Sequence, residues 1–279
     1  MNATDVMNQT IALSPVMDPQ TAITTSIISA VASMAVVITL LYLPRLSMFS
    51  NTMKMKKEIK NMAKITNRPV LVLAHNDAGI FGGMIMPSTI VKLAKEMRKF
   101  NGKDFDFVIH TLGGDLFSSV KIAKMIRDYP GNVNVMVPKY AMSGGTMIAL
   151  GADSIEMDEN ASLGPVDPQI GGLFSTYSSK AWKQILKVKG KKADDKSIAT
   201  SLLAKQVDDM VRSEIENITG RKNIDFLFRG DVAHSMQFDK KFMRNNGFPI
   251  KDMKLEHPHR IIEANCGKEV MSFVPRGKT

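Results

Sequence analysis

Two apolar segments, residues 105–109 and Val133–Val137, each run into a short glycine-bearing turn and then into apolar residues at helical spacing. Aromatic and β-branched residues bounded by turn formers favour a strand. Leu116, Val120, Ala123 and Ile126, three or four apart, favour a helix with one apolar face. Residues 69–74 read as a further strand. Residues 88–100 read as an amphipathic helix with Ile90, Val91, Leu93, Ala94 and Met97 on or near its apolar face. Strand and helix therefore alternate, and the expected class is α/β. A length of 279 residues with 44% hydrophobic content supports one substantial domain plus appendages.

The turns carry the chemistry. The second strand leads to Tyr140-Ala141-Met142-Ser143-Gly144-Gly145-Thr146, and Met147, Ile148, Ala149 and Leu150 open a buried helix beyond it. A serine between strand and helix, flanked by small residues, is where a hydrolase mounts a nucleophile. The glycines let substrate approach the backbone closely, and the first helical N–H groups are free to meet an oxyanion. The first strand leads to His110-Thr111-Leu112-Gly113-Gly114-Asp115. A third piece, Ala161-Ser162-Leu163-Gly164-Pro165-Val166-Asp167-Pro168-Gln169, follows downstream.

These three motifs, in this order, resemble the Clp protease/crotonase superfamily. Their wording is most similar to the serine dehydrogenase proteinase family, which is related to signal-peptide peptidase A and to the membrane proteases partnered with stomatin-like proteins. The resemblance covers roughly residues 70–249. It implies a spiral of β-β-α units rather than a flat doubly wound sheet. It also implies peptide hydrolysis with Ser143 as nucleophile and the backbone N–H groups of Gly114 and Gly144 as oxyanion donors. Leu112 stands where many relatives have proline before the glycine pair, which loosens that turn.

The general base stays open at this level. Clp subunits use histidine, which would fall near Val166, Asp167 and Pro168, and none is there. The membrane relatives use lysine, which serves only if burial and neighbouring charge lower its pKa. Lys205 is the first candidate: it sits among Ile198, Leu202, Leu203, Ala204 and Val207 in a helix that ends before Gly220-Arg221. Lys196 and Lys187 follow, although residues 187–192 also read as a solvated basic face. His234 is the rival, in a Gly-x-x-x-His segment that loosely matches the family. His110 is expected to orient the glycine turn, and Asp167 to turn the chain rather than titrate.

Residues 22–43 contain no charged side chain, enough for one helical crossing of a bilayer. Arg45, Lys54, Lys56, Lys57, Lys60, Lys64 and Arg68 follow against the single acid Glu58, and supply most of the net charge of +10. The positive-inside rule places residues 1–21 outside and the catalytic domain in the cytoplasm. The basic stretch suits anionic lipid, and the basic-aromatic pattern of nucleic-acid binding is missing. The expected organisation is thus a short outer segment (1–21), a membrane helix (22–43), a basic linker (44–68), a protease domain (69–265) and a loose tail (266–279).

The single cysteine, Cys266, excludes an internal disulfide framework. His257 and His259 read as surface residues, and no cluster has metal-ligand spacing. The glycine-rich stretch 79–83 lacks the Lys-Ser/Thr ending of a P-loop, so neither metal nor nucleotide cofactor is expected. The superfamily implies a polypeptide substrate and a homo-oligomer, with a membrane protein as a further partner. Two other classes compete. One is a catalytically silent scaffold of the same fold; the other is a crotonase-like acyl-CoA enzyme, which also uses paired backbone donors.

Overall fold

The structure is a computed structural model that describes residues 18–75, 83–172, 175–228, 236–265 and 269–275. The chain divides into two compact units, residues 1–50 and 51–279. In the first, helix α1 (Pro19–Thr66, continuing into the second) contains a 22-residue apolar stretch, Pro19–Leu40, of mean hydropathy 2.1 and no burial. That is long and apolar enough to cross a membrane.

The second unit is mixed α/β. Strands β1 (Val70–Ala74), β2 (Phe105–His110), β3 (Val133–Val137), β5 (Ser154–Met157) and β10 (Ile250–Asp252) run parallel. Strand β11 (Val270–Phe273) closes the sheet antiparallel to β1, in the order β10-β5-β3-β2-β1-β11. Every residue of β1, β2 and β3 is buried, as a sheet covered on both faces requires. Alternation along the strands divides the core. Leu71, Leu73, Phe105, Phe107, Ile109, Val133, Val135 and Val137 pack on one face under α2 (Pro87–Arg98), α3 (Leu116–Arg127), α4 (Gly144–Leu150) and α6 (Asp195–Thr219). Val70, Val72, Ala74, Val108 and Met136 pack on the other, with Met55, Ile59, Met62 and Ala63 of α1 and with Ile261 and Ile262 of α8 (His257–Glu263).

A second, short ladder crosses the ends of the parallel strands. Ile85 bridges Gly114, and Thr111 bridges Ala141. Strand β4 (Tyr140–Ala141) pairs β6 (Ser162–Leu163), which pairs β9 (Phe238–Asp239). Each repeat is therefore a long strand, a short extended piece in the second ladder and a helix. This is the expected β-β-α spiral. Strands β7 (Gln169–Gly172) and β8 (Ser175–Ser178) form a separate hairpin leading into α5 (Ser179–Lys189); α7 (Lys240–Asn245) precedes β10.

Three expectations differ from the structure. Residues 51–66, read as part of a basic linker, are helical and bury four apolar side chains while their lysines face out. The helical period that puts Met55, Ile59, Met62 and Ala63 on one stripe was hidden by the charge run. Residues 270–273, read as part of a loose tail, form the edge strand β11. His257 is half-buried, its Nδ1 2.8 Å from Glu58 Oε2, and ties α8 to α1.

Candidate active site

Ser143 lies between β4 and α4, at φ 49° and ψ −113°. A serine held at positive φ is strained by roughly 1–3 kcal/mol and persists only where its surroundings impose it. Here they do. Met142 N–H donates to Thr111 O at 2.9 Å, and Gly145 N–H to Met142 O at 2.7 Å. The side chain caps nothing in α4 and is only half-buried. This is a sharp strand-to-helix elbow, a geometry suited to holding a nucleophile.

The glycine bend reaches the same place. A Cβ on Gly113 would stand 2.9 Å from Ser143 Cβ and 3.0 Å from Gly144 N. Ile85 N–H donates to Gly113 O at 2.9 Å, and Asp115 N–H donates to Ile85 O at 2.7 Å. In such a parallel bridge both bonds come from the residues flanking Gly114, so its own N–H points away from the Ile85 strand. Among the described residues, neither Gly114 N–H nor Gly144 N–H is used in a hydrogen bond. Gly144 must lack a side chain for a separate reason. A Cβ there would meet Ser119 Oγ of α3 at 2.1 Å.

The third motif is stapled to the elbow by Thr146. Its hydroxyl donates to Ala141 O at 2.7 Å and accepts from Gly164 N–H at 3.0 Å. This carries Val166 and Asp167 to the site. A cleft of about 750 Å³ is lined by Ser143, Gly114, Asp115, Asp167 and Gln169, with apolar walls that include Met84, Met86, Leu112, Phe117, Ile170 and Val207. Asp167 is buried and accepts from Gln169 Nε2 at 2.8 Å.

The candidate bases fare differently. Lys205 is on α6 and exposed, as are Lys196 on α6 and Lys187 on α5; none of the three lines the cleft. Val207 is the α6 residue that does, about 200° around the helix from Lys205. Lys183 is engaged with the buried Asp208 at 2.8 Å. His234 lies outside the described residues, as do Cys266 and most of the glycine-rich stretch 79–83. His110 is buried and packs against Tyr140, ring centroids 4.2 Å apart. Its neighbour Thr111 binds the glycine turn, its Oγ accepting from Gly113 N–H at 3.0 Å. Thr111 and the cleft position of Asp167 were not read from sequence. The only signal was their adjacency to the glycine pair and to Gly164-Pro165. No cluster of His, Cys, Asp and Glu suited to a metal ion occurs among the described residues.

The family described as ClpP-like SDH-type serine proteinase matches residues 15–225, most of the chain and all three motifs. The chain belongs to that family. Membership supports a ClpP-like serine peptidase. Two uncharacterised proteins of Methanocaldococcus jannaschii are similar, one 36% identical over 170 residues and the other 43% identical over 93. Those matches take in 58% and 33% of this chain, and the chain spans 58% and 30% of the relatives' own lengths. Among solved structures, a point variant of the 1510-N membrane-bound stomatin-specific protease is 14% identical, with a TM-score of 0.46, covering 67% of this chain and 88% of that one. ClpP1 from Listeria monocytogenes is also 14% identical, with a TM-score of 0.43, covering 66% and 92%.

Proposed function

We propose that this chain is a membrane-anchored serine peptidase. Ser143 Oγ attacks the scissile carbonyl carbon, and the carbonyl oxygen takes up negative charge toward the N–H groups of Gly114 and Gly144. The observation that carries this reading is the meeting of a strained, half-exposed Ser143 with the Gly113-Gly114 bend in one cleft. Each such donor stabilises the transition state by about 3–4 kcal/mol, because it is already aimed where charge develops. The apolar walls suit an extended polypeptide with large hydrophobic side chains.

The general base comes from Lys205, Lys196, Lys187 or His234, and Lys205 is the first to test. Lys205 is exposed and does not line the cleft, so it needs a change of surroundings on substrate binding or on assembly of a homo-oligomer to serve. The apolar stretch Pro19–Leu40 supplies the anchor, and the lysines of residues 54–64 contact anionic lipid on the cytoplasmic side. A membrane protein partner fits the same placement.

Fluorophosphonate labelling of the full-length chain tests the reading. Wild type is labelled and Ser143→Ala is not; an unlabelled wild type would replace the peptidase with the silent scaffold. Acyl-CoA binding without labelling would point to the crotonase-like alternative. Single Lys205→Ala, Lys196→Ala, Lys187→Ala and His234→Ala variants then assign the base by which one abolishes labelling at neutral pH. Detergent-dependent extraction and cleavage of residues 1–21 by an external protease check the anchor and its orientation.

A further inference from the structure

We propose that His75, held between Thr111 and Glu269, is a positioning residue that sets the oxyanion turn. The inference rests on the peptidase reading of Ser143 and deepens it. Residues 113 and 114, at φ 107° and 154°, have the freedom of glycine, and Leu112 adds no proline rigidity ahead of them. Yet a donor must sit within a few tenths of an ångström of its working place to stabilise an oxyanion. Something must hold this bend.

Two contacts do so, and both lead to one carboxylate. On one side, Gly113 N–H donates to Thr111 Oγ at 3.0 Å, and Thr111 Oγ lies 2.7 Å from His75 Nδ1. His75 Nε2 lies 3.3 Å from Glu269 Oε1. On the other side, the bend pairs with Ile85, and the next residue, Met86, donates its N–H to Thr89 Oγ at 3.0 Å. Thr89 Oγ donates to Glu269 in turn, and Lys92 Nζ binds the second carboxylate oxygen. Both strands flanking the oxyanion site are thus referred to Glu269, from the ends of β1 and β2, from α2 and from the approach to β11.

Thr89 and Thr111 are fully buried and His75 is 6% exposed, so water does not replace these bonds cheaply. One proton order satisfies the chain: Gly113 N–H to Thr111, Thr111 O–H to His75 Nδ1, His75 Nε2–H to Glu269. Among the described residues, the charged groups facing the imidazole are Glu269 and, beyond it, Lys92. Burial alone would raise the Glu269 pKa, but hydrogen bonds from His75, Lys92 and Thr89 and the Lys92 charge bring it down to about 2. The carboxylate is therefore a standing acceptor at any working pH.

The test follows Ser143 inactivation by a fluorophosphonate in the full-length chain in detergent, recording the saturating rate and the half-saturating concentration. Thr111→Val keeps the side-chain shape and removes the hydroxyl. We expect its saturating rate to fall about tenfold or more, with half-saturation within about threefold, because the loss is confined to the transition state. Thr111→Ser restores the rate. His75→Phe, which keeps a ring but neither donates nor accepts, shows the same split and decides the matter if Thr111→Val does not fold. Saturating rates within about threefold of wild type in folded Thr111→Val and His75→Phe overturn the proposal while leaving the peptidase intact. A wild type that never labels removes the peptidase reading and the proposal with it.

Discussion

Ser143 adopts its backbone conformation because Thr111, Met142 and Gly145 leave it no alternative, not because serine favours φ 49°. Substituting glycine relieves that strain. Ser143→Gly should raise the melting temperature of the chain while abolishing fluorophosphonate labelling, with a gain on the order of 1 kcal/mol. A melting temperature equal to or below that of wild type would mean the elbow is unstrained. Gly144→Ala should act in the opposite sense. Its Cβ drives into Ser119 Oγ at 2.1 Å, and α3 cannot yield without moving Asp115, whose carbonyl accepts from that hydroxyl at 2.7 Å. The expected outcome is a loss of about 100-fold or more in labelling rate. Asp167, buried in the same cleft, offers a milder probe: Asp167→Asn should keep the fold and its bond to Gln169, and the labelling rate reports whether its charge acts on the site.

At the scale of elements, strand β11 and the residue before it join an edge of the sheet to the glycine bend beside Ser143. Glu269 links α2 to His75, and its carboxyl is depressed to about 2 from an ordinary 4.5. A carboxyl with a lowered folded-state pKa contributes stability that is fully present above its unfolded pKa. That stability drains away as pH falls from about 4.5 through about 2. Glu269→Gln removes this component. The variant should be less stable than wild type at pH 7 and lose less stability between pH 4.5 and 2, as measured by urea midpoints across that range. Parallel acid curves for the two proteins would show that the carboxylate is not held as the geometry indicates. Removing residues 266–279 takes β11 from β1 and bares its hydrogen-bonding edge, so that truncation should aggregate.

For the whole molecule, the boundary that matters lies inside α1. A chain begun at residue 69, where the strand pattern begins, discards Met55, Ile59, Met62 and Ala63 from the second core. Burying one such side chain is worth about 1.5–3 kcal/mol for the large residues, so their joint loss approaches the stability of a whole domain. A chain begun at residue 51 keeps them and should fold and stay soluble without detergent. One begun at residue 69 should be insoluble or unfolded. Equal solubility and melting temperature of the two would refute that account.

The apolar runs and the helical spacing sufficed for the α/β class. β1, β2 and β3 were legible as apolar runs because both their faces are buried. Ser143, Gly113 and Gly144 were legible because the elbow and the bend need those residue types locally. Thr111, His75 and Glu269 were not, since they are far apart in the chain and only the convergence of β1, β2, α2 and β11 brings their polar atoms together. The helix of residues 51–66 was masked by its lysines, and β11 by its shortness. A four-residue edge strand takes its stability from the partner it pairs with, not from its own composition. Local chemistry is written in neighbouring residues, whereas the support that holds it in place is a property of packing.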